Sequence, residues 1–474
     1  MNKKILIGLL LCCCCAFPLR AQYTSTLFST NLGSKVEFTL MRSYDSSMFY
    51  YVRTADSSFF ALNTVYDTVA QRAFIPCHYQ VSDMEVLGDY AYFCGRNTTA
   101  EKGFVGVFHI RNFLSGNATY RICESFYTPP DANGAMSTIT DVRRLCVHRS
   151  TGTRVHLIAV CSSGTNKNNC ILDVEGPLAT ERSWIYSIGE SREPTEVLYD
   201  VALTQGYVVT AGSMTAGDGY VALRAYSKGS LFSTSRYQTI YPFSSYDNSP
   251  LPSVDFGIND YHITAMGHDT LAVLSTIRRP SATTDVRNGV MFALYDIATM
   301  VSQSGPATLY TATLWINDST GKADVSALRY DSQNRVVAGV VHYDTTTSTP
   351  TLLHPKTKAW IPKKNMNSTS STVTVDKGGR AWYQNLDVDA ENSRYFAIGW
   401  DYLDLFNSKL MLSMNNYGMF GCDASVWRNT TTGYTFAARE ETRPFFVLSD
   451  HGVISGDHNP LRVDTMVLQR TCSE

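Results

Sequence analysis

The sequence predicts an all-β fold built from a small antiparallel sheet that recurs along the chain. Six stretches each begin near an Asp, run into an apolar strand and return through a second strand after a polar or Gly-bearing turn. Their leading Asp residues lie 58, 59, 60, 64 and 63 residues apart, and a nearly fixed period is typical of repeat proteins. These residues are Asp83, Asp141, Asp200, Asp260, Asp324 and Asp387.

Each repeat contains three or four short strands. A third strand follows several copies, as in GFVGVF at Gly103, GYVALRAY at Gly219 and GVMFALYD at Gly289. No helical spacing separates the strands, so each unit is an antiparallel sheet and not a βαβ crossover. Sheets of this kind that repeat radially form a β-propeller. We therefore predict a β-propeller of antiparallel strands.

The number of blades follows from the repeat length. Repeats start near residues 36, 83, 141, 200, 260, 324 and 387, and a closing C-terminal segment covers residues 423–474. At roughly 60 residues per repeat, residues 22–474 form one domain in which seven blades fit best. Six and eight blades remain the alternatives, because both flanking segments look like incomplete copies.

The first 21 residues predict export. Lys3 and Lys4 precede an apolar run that is too short to span a bilayer, and Ala21 supplies a small residue at the cleavage site. A lipoprotein signal at Cys12 is the alternative, although Leu11 stands where a small residue is usual. We expect a secreted, periplasmic or cell-surface protein without a transmembrane segment, because no later run reaches 18 apolar residues.

Charge and composition exclude several partners. Without the leader, 37 basic side chains face 42 acidic ones, and this mild acidity gives no field that would attract nucleic acid. No haem-type Cys-x-x-Cys-His segment occurs, and we predict no cofactor. The oligomeric state is not predicted.

Eight cysteines remain after the leader, and one pair predicts a disulfide. Cys161 ends one strand, SSGTNKNN forms a polar turn, and Cys170 begins the next strand. A symmetric hairpin places such residues opposite each other, about 4.5 to 5.5 Å apart at their Cβ atoms. Two buried free thiols are the alternative interpretation.

The leading Asp residues are interpreted as structural. We expect them at turns between blades, where a carboxylate accepts backbone N–H groups. A ring of carboxylates that binds a cation is the weaker alternative. The segment DVDAEN at Asp387 resembles the start of a calcium loop, but Asn392 and Ile398 occupy positions that need Gly and Glu. We therefore predict no metal site.

Short signatures place the chain in a broad class only. Gly267-His268 and Trp400-Asp401 each occur once, Gly378-Gly379 is a single pair, and STGKADV at Ser319 has no counterpart in the other repeats. In its repeat pattern the chain resembles the wide β-propeller class that includes Kelch, WD-repeat and quinoprotein-like domains, over about 390 residues. This resemblance implies the fold and not an activity.

One segment predicts a ligand site. Lys356, Lys358 and Lys363 surround Trp360 in a segment that we expect to be a loop. Such a basic aromatic patch suits an acidic glycan or a protein partner, and a solvated loop is the alternative.

Function is predicted only in outline. The chain lacks a Gly-x-Ser-x-Gly segment, and no catalytic residue is identified. We predict a binding or scaffolding module for a glycan or protein partner, without evident catalysis. The alternative is a carbohydrate-active hydrolase or lyase that uses carboxylates at a central channel.

Overall fold

The computed structural model of the chain has an all-β fold, which confirms the predicted class. It describes residues 25–64, 67–116, 119–128, 130, 133–149, 154–164, 170–176, 183–190, 196–214, 220–228, 235–242, 255–279, 287–302, 308–316, 322–330, 336–344, 354–361, 371–374, 381–389, 394–401, 409–416, 425–428, 436–441, 450–455, 457–460 and 462–473.

The strands of the described residues are numbered in chain order. The first seventeen are β1 (Ser25–Asn31), β2 (Val36–Tyr44), β3 (Ser47–Thr54), β4 (Ser58–Thr64), β5 (Val69–Ile75), β6 (Tyr79–Leu87), β7 (Tyr90–Asn97), β8 (Lys102–His109), β9 (Thr119–Glu124), β10 (Ile139–Arg149), β11 (Val155–Ser163), β12 (Cys170–Glu175), β13 (Ser183–Glu190), β14 (Glu196–Leu203), β15 (Tyr207–Met214), β16 (Tyr220–Ser227) and β17 (Ser235–Pro242). The others are β18 (Asp255–Ala265), β19 (Thr270–Arg279), β20 (Arg287–Asp296), β21 (Thr308–Ile316), β22 (Lys322–Tyr330), β23 (Val336–Asp344), β24 (His354–Ile361), β25 (Ser371–Thr374), β26 (Ala381–Asp389), β27 (Arg394–Asp401), β28 (Lys409–Asn416), β29 (Ser425–Arg428), β30 (Phe436–Glu441), β31 (Asp450–Ser455), β32 (Asp457–Pro460), β33 (Arg462–Val467) and β34 (Gln469–Ser473). Two short helices, α1 (Ile110–Leu114) and α2 (Ile297–Ser302), each follow the third strand of a sheet.

The described strands form seven antiparallel sheets of four or five strands. Six sheets take four consecutive strands each, which begin with β2, β6, β10, β14, β18 and β22. We number these sheets 1 to 6 in that order. Sheet 7 combines β26, β27 and β28 with β1 from the start of the chain and with β34 from its end.

The last strands of the chain run along the outer edges of these sheets. We call residues Ser425–Ser473 the C-terminal belt. Its strands β29, β30, β31, β32, β33 and β34 pair with sheets 6, 4, 3, 2, 1 and 7 respectively. The segment that was expected to close the domain therefore contributes one outer strand to each of six sheets. An outer edge strand that is paired in this way cannot pair with another chain.

The first strand of each sheet packs against the first strand of the next. These contacts join β2 to β6, β6 to β10, β10 to β14, β14 to β18, β18 to β22, β22 to β26 and β26 to β2. In each of the seven described sheets, the first strand comes before its hairpin partner in the chain.

The hydrophobic core lies between neighbouring sheets. Between sheets 1 and 2, the rings of Phe49 and Phe60 stack with centroids 5.8 Å apart, and Phe60 contacts Phe93 at 5.0 Å. Similar buried clusters fill the spaces between sheets 2 and 3, 3 and 4, 4 and 5, and 7 and 1. Burial on both faces explains why these strands are apolar at successive positions.

A bulge in the first strand of a sheet explains why the second strand carries a glycine opposite it. Pairing shifts between Val81 and Asp83 in β6 and between Leu198 and Asp200 in β14. Gly95 lies opposite Val81, and a Cβ there would be 1.9 Å from the carbonyl oxygen of Gln80. Only glycine allows the bulged backbone to approach so closely.

We expect Gly95→Ala to lower the free energy of unfolding by roughly 3 kcal/mol, because the neighbouring backbone must move. Urea unfolding of both proteins measures this difference. Gly164→Ala is the matched control, since its Cβ would meet the Thr138 carbonyl at an ordinary 3.6 Å. Equal losses in the two variants would contradict the close approach at Gly95.

The leading Asp residues do not occupy turns. Asp83 and Asp200 lie inside β6 and β14, directly after the bulges, and Asp387 lies inside β26. The expectation of Asx turns between blades was therefore wrong. A one-residue bulge reverses the alternation of the strand, and this change is not visible in the spacing of the repeats.

Candidate functional site

First strands from six sheets line the first of two cavities, and first strands from four of these sheets, together with β3, line the second. The first, which we call the charged cavity, has a volume of about 230 Å³. Its lining includes Arg42, Asp83, Glu85, Arg144, Asp200 and His262. The second, which we call the arginine cavity, has a volume of about 340 Å³ and is lined by Phe38, Arg53, Val81, Ser82, Arg143, Arg144 and Tyr199.

The two cavities lie at different levels along the same strands. Ser82 and Tyr199 line the arginine cavity, whereas the residues that follow each of them, Asp83 and Asp200, line the charged cavity. The arginine cavity is therefore nearer the starts of the first strands. Arg144 lines both cavities and marks the boundary between them.

Arg42 is the central cation of the charged cavity. Its guanidinium donates from Nη2 to Asp83 Oδ1 at 2.9 Å and from Nε to Glu85 Oε1 at 3.1 Å. A third bond runs from Nη1 to the Met41 carbonyl at 2.8 Å. Burial lowers the pKa of Arg42, but the Glu85, Asp83 and Asp387 carboxylates outweigh it, so the pKa is raised above its ordinary value. Arg42 therefore joins sheets 1 and 2 as a permanent charge.

The carboxylates of this cavity hold neighbouring first strands together. Asp83 Oδ2 accepts the Leu145 N–H of β10 at 3.1 Å, and Asp200 Oδ2 accepts the Ile263 N–H of β18 at 2.9 Å. Asp387 accepts the Ser43 N–H of β2. Each bond runs from one sheet to the next, so these Asp residues are structural, as predicted, although through a different geometry.

The pKa of Asp200 is raised strongly above its ordinary value. Burial raises its pKa from an ordinary 3.8 to about 6, against the opposing effects of Arg144 and of the Ile263 N–H. Nδ1 of His262 lies 3.9 Å from Asp200 Oδ2. A perturbed carboxyl group beside a histidine in a polar cavity is a pattern found at functional sites and in structural networks alike.

We expect Asp200 to make stability depend on pH. A raised folded-state pKa gives stability that is complete below the unfolded value near 4 and is lost as pH rises through about 6. A rise from 3.8 to about 6 corresponds to roughly 3 kcal/mol. Between pH 4 and pH 7, the wild type should lose about this much unfolding free energy relative to Asp200→Asn. A difference that stays constant with pH would contradict the raised pKa.

The arginine cavity combines cations with aromatic rings. The Arg53 guanidinium lies over the Phe38 ring, 5.3 Å from its centroid, and its Nε is 3.5 Å from Glu37 Oε2. Arg143 Nε lies 3.5 Å from Asp141 Oδ2. Arg144 Nη1 donates to the Ser82 carbonyl at 3.4 Å. Three guanidinium groups thus meet in a small, partly open space.

The predicted basic aromatic patch has a different setting from the one expected. Lys356, Lys358 and Trp360 occupy alternate positions of strand β24, so their assignment to a loop was wrong. Strand β24 pairs with β23 on one side and β25 on the other, and this pairing overrides the Pro- and Lys-rich composition that suggested a loop. Lys363 lies outside the described residues.

Sequence reasoning did not find the arginines. Arg143 and Arg144 are adjacent in the segment DVRRL, only two residues after the leading Asp141, and Arg42 lies in the incomplete first repeat. The Arg-Arg pair within a first strand was the signal that could have indicated them. The other repeats have no Arg-Arg pair at this position, so the repeat pattern does not mark it.

The cysteine hairpin has the predicted register but no bridge. Cys161 and Cys170 lie directly opposite each other in β11 and β12, both are buried, and no disulfide joins them. The predicted disulfide is therefore absent from this structure. Burial, together with the hydrogen bond to Cys170, raises the pKa of Cys161 well above its ordinary value.

The described part of the chain contains no candidate metal site. Among its residues, no three His, Cys, Asp or Glu side chains converge into a group that could hold a metal ion. Asp387 and Asp389 of the candidate calcium segment belong to β26, and the four residues that follow lie outside the described part. Neither of the two described helices has the length and apolarity that a bilayer crossing requires.

Comparison with known proteins adds no functional assignment. No protein-family model matches the chain, and no curated protein has significant similarity to it. We therefore infer function from the residues of this chain.

Proposed function

We propose that the chain is a seven-bladed β-propeller in which sheets 1 to 7 are the blades. Two observations support this arrangement. Each first strand packs against the next, and β26 packs against β2. Sheet 7 also combines β1 with β26, β27 and β28, which is how many propellers join the two ends of the chain.

We further propose that residues 1–21 are a signal peptide and that the mature protein acts outside the cytoplasm. The leader lies outside the described residues, and its sequence alone supports this step. N-terminal sequencing of the exported protein should begin at Gln22. A chain that retains Met1 would contradict export by cleavage.

The mature protein is proposed to be a binding module for a glycan or a protein partner. The observation that carries this proposal is that the oxygens of two central carboxylates, Asp83 and Asp200, are already occupied by hydrogen bonds within the protein. Both oxygens of Asp83 are bonded, to Arg42 and to the Leu145 N–H, and both oxygens of Asp200 accept backbone N–H groups, from Val201 and Ile263. A general acid or base needs a carboxyl oxygen that reaches its substrate.

A carbohydrate-active hydrolase or lyase is the second candidate. Asp200, with its pKa raised to about 6, and His262 at 3.9 Å are the specific observations in its favour. Ionisable groups that converge in a polar cavity are the pattern expected of an active site. In this proposal, Asp200 would release its backbone bonds or act through water.

A glycan array with product analysis tests the two candidates. The mature chain, residues 22–474, is applied to the array, and the bound sugars are then examined by mass spectrometry. Retention of intact glycans is the expected result for a binding module. Cleaved products that disappear with Asp200→Asn would favour the enzyme instead. If the chain binds none of the glycans but captures a defined protein partner, the binding function would be restricted to protein ligands.

A further inference from the structure

We propose that the arginine cavity binds the carboxylate or sulfate group of an acidic saccharide. This inference rests on the proposed binding function and names the chemical class of its ligand. The chain as a whole is mildly acidic, with 40 basic and 42 acidic side chains. The concentration of Arg53, Arg143 and Arg144 around one cavity is therefore a local feature.

The charges of the cavity select an anion. Its lining contains three arginines and no carboxylate. The carboxylates of Glu37 and Asp141 lie 3.5 Å from Nε of Arg53 and Arg143 respectively. These contacts are longer than the roughly 2.7 to 2.9 Å of a charge-assisted hydrogen bond. An anion that reaches the cavity at the shorter distance can therefore compete with them.

The type of cation favours a planar or tetrahedral oxyanion. A guanidinium offers two parallel N–H groups, which match the two oxygens of a carboxylate or sulfate. Arg53 is further oriented by its position over the Phe38 ring at 5.3 Å. The side chains of Arg53 and Arg143 are 22% and 30% exposed, so neither is fully enclosed by the protein.

The size and the aromatic lining favour a sugar. At about 340 Å³ the cavity lies at the small end of the range for ligand sites, which suits one charged sugar unit and excludes a nucleic-acid strand. Phe38 and Tyr199 supply apolar ring surface beside the arginines. A pyranose has an apolar C–H face for such rings and, when it is a uronate or a sulfate ester, an anionic group for the guanidinium groups.

Calorimetric titration of the mature chain tests this site. The probes are tetragalacturonate, a sulfated galactose tetrasaccharide and the uncharged galactose tetrasaccharide. We expect one acidic probe to bind at least tenfold more tightly than the uncharged one, and the tighter acidic probe identifies carboxylate or sulfate as the natural group. Arg143→Gln and Arg53→Gln should each weaken binding of that probe by about tenfold or more, and Arg143→Lys should weaken it less.

Arg154→Gln is the matched control. It removes the same charge, its side chain is 68% exposed, and it lies at the other end of the β10–β11 hairpin, where it pairs with Glu175. Binding should be unchanged in this variant, and thermal melts should show that all variants fold.

Three outcomes would overturn the inference. Equal binding of charged and uncharged sugars would remove the acidic ligand but leave the binding module in place. Equal loss in Arg154→Gln would show a general charge effect. Inorganic sulfate that binds as tightly as the acidic sugars would indicate a simple anion site. Cleavage of a probe would instead contradict the proposed binding function itself.

Discussion

Replacing Arg42 with alanine is expected to lower the free energy of unfolding by roughly 3 to 5 kcal/mol, the usual result of breaking a buried ion pair by removing one partner. Arg42 is buried, and it bonds Asp83 at 2.9 Å and Glu85 at 3.1 Å. Without the guanidinium, the carboxylates remain desolvated but no longer have a cation to stabilise their negative charge. Urea unfolding at pH 7 measures the change.

The control for this variant is Arg111→Ala. Arg111 also pairs with a carboxylate, Asp89 at 2.8 Å, but its side chain is 67% exposed. Its unfolding midpoint should match that of the wild type, because exposed ion pairs contribute little. Arg42→Lys keeps the charge without the forked geometry and should fall between wild type and Arg42→Ala. Equal midpoints for Arg42→Ala and Arg111→Ala would contradict the proposed role of Arg42.

Removing the C-terminal belt together with Glu474 should prevent the chain from forming a stable fold. The deletion takes an outer strand from six of the seven described sheets and leaves their edges open to other chains. It also removes the buried Met466 and Leu468 from the core between sheets 7 and 1. We expect aggregation in size-exclusion chromatography and no cooperative thermal transition. A truncated chain that elutes and melts like the wild type would show that the belt is dispensable.

Two neighbouring point variants test the belt without a deletion. Leu468 is 2% exposed, and its N–H donates to the Thr68 carbonyl at 2.6 Å. Leu468→Ala should cost about 2 to 5 kcal/mol, as large-to-small changes in a core do. Val467, the preceding residue, is 70% exposed, and Val467→Ala should change stability by less than about 0.5 kcal/mol. Similar losses in both would argue against specific packing of the belt.

The sequence predicts the sheets well because their signals are local. Short runs of apolar and aromatic residues identify the strands, and the hairpin between β6 and β7 turns at Gly88, whose φ of 60° is the left-handed conformation that glycine favours. The bulges and the belt could not be predicted. A bulge changes pairing without changing composition, and a belt strand such as β33 pairs with β5 almost 400 residues earlier in the chain.

The candidate site was less predictable than the fold. The sequence indicated a site at Trp360 and its lysines because these residues are close together in the chain. Arg53, in contrast, lies in sheet 1, and Arg143 and Arg144 lie in sheet 3. Only the packing of β2, β6, β10 and β14 brings these arginines to one cavity. Residues that converge through tertiary structure have no common spacing in the sequence, so their shared role is visible only in the fold.

A crystal structure of the mature chain with bound tetragalacturonate or its sulfated counterpart tests the central claim most directly. We predict seven sheets around one axis, with β26 against β2, and an intact saccharide whose anionic group contacts Arg53 and Arg143. A ring that does not close between β26 and β2 would contradict the proposed fold. A cleaved saccharide beside Asp200 and His262 would contradict the proposed binding function.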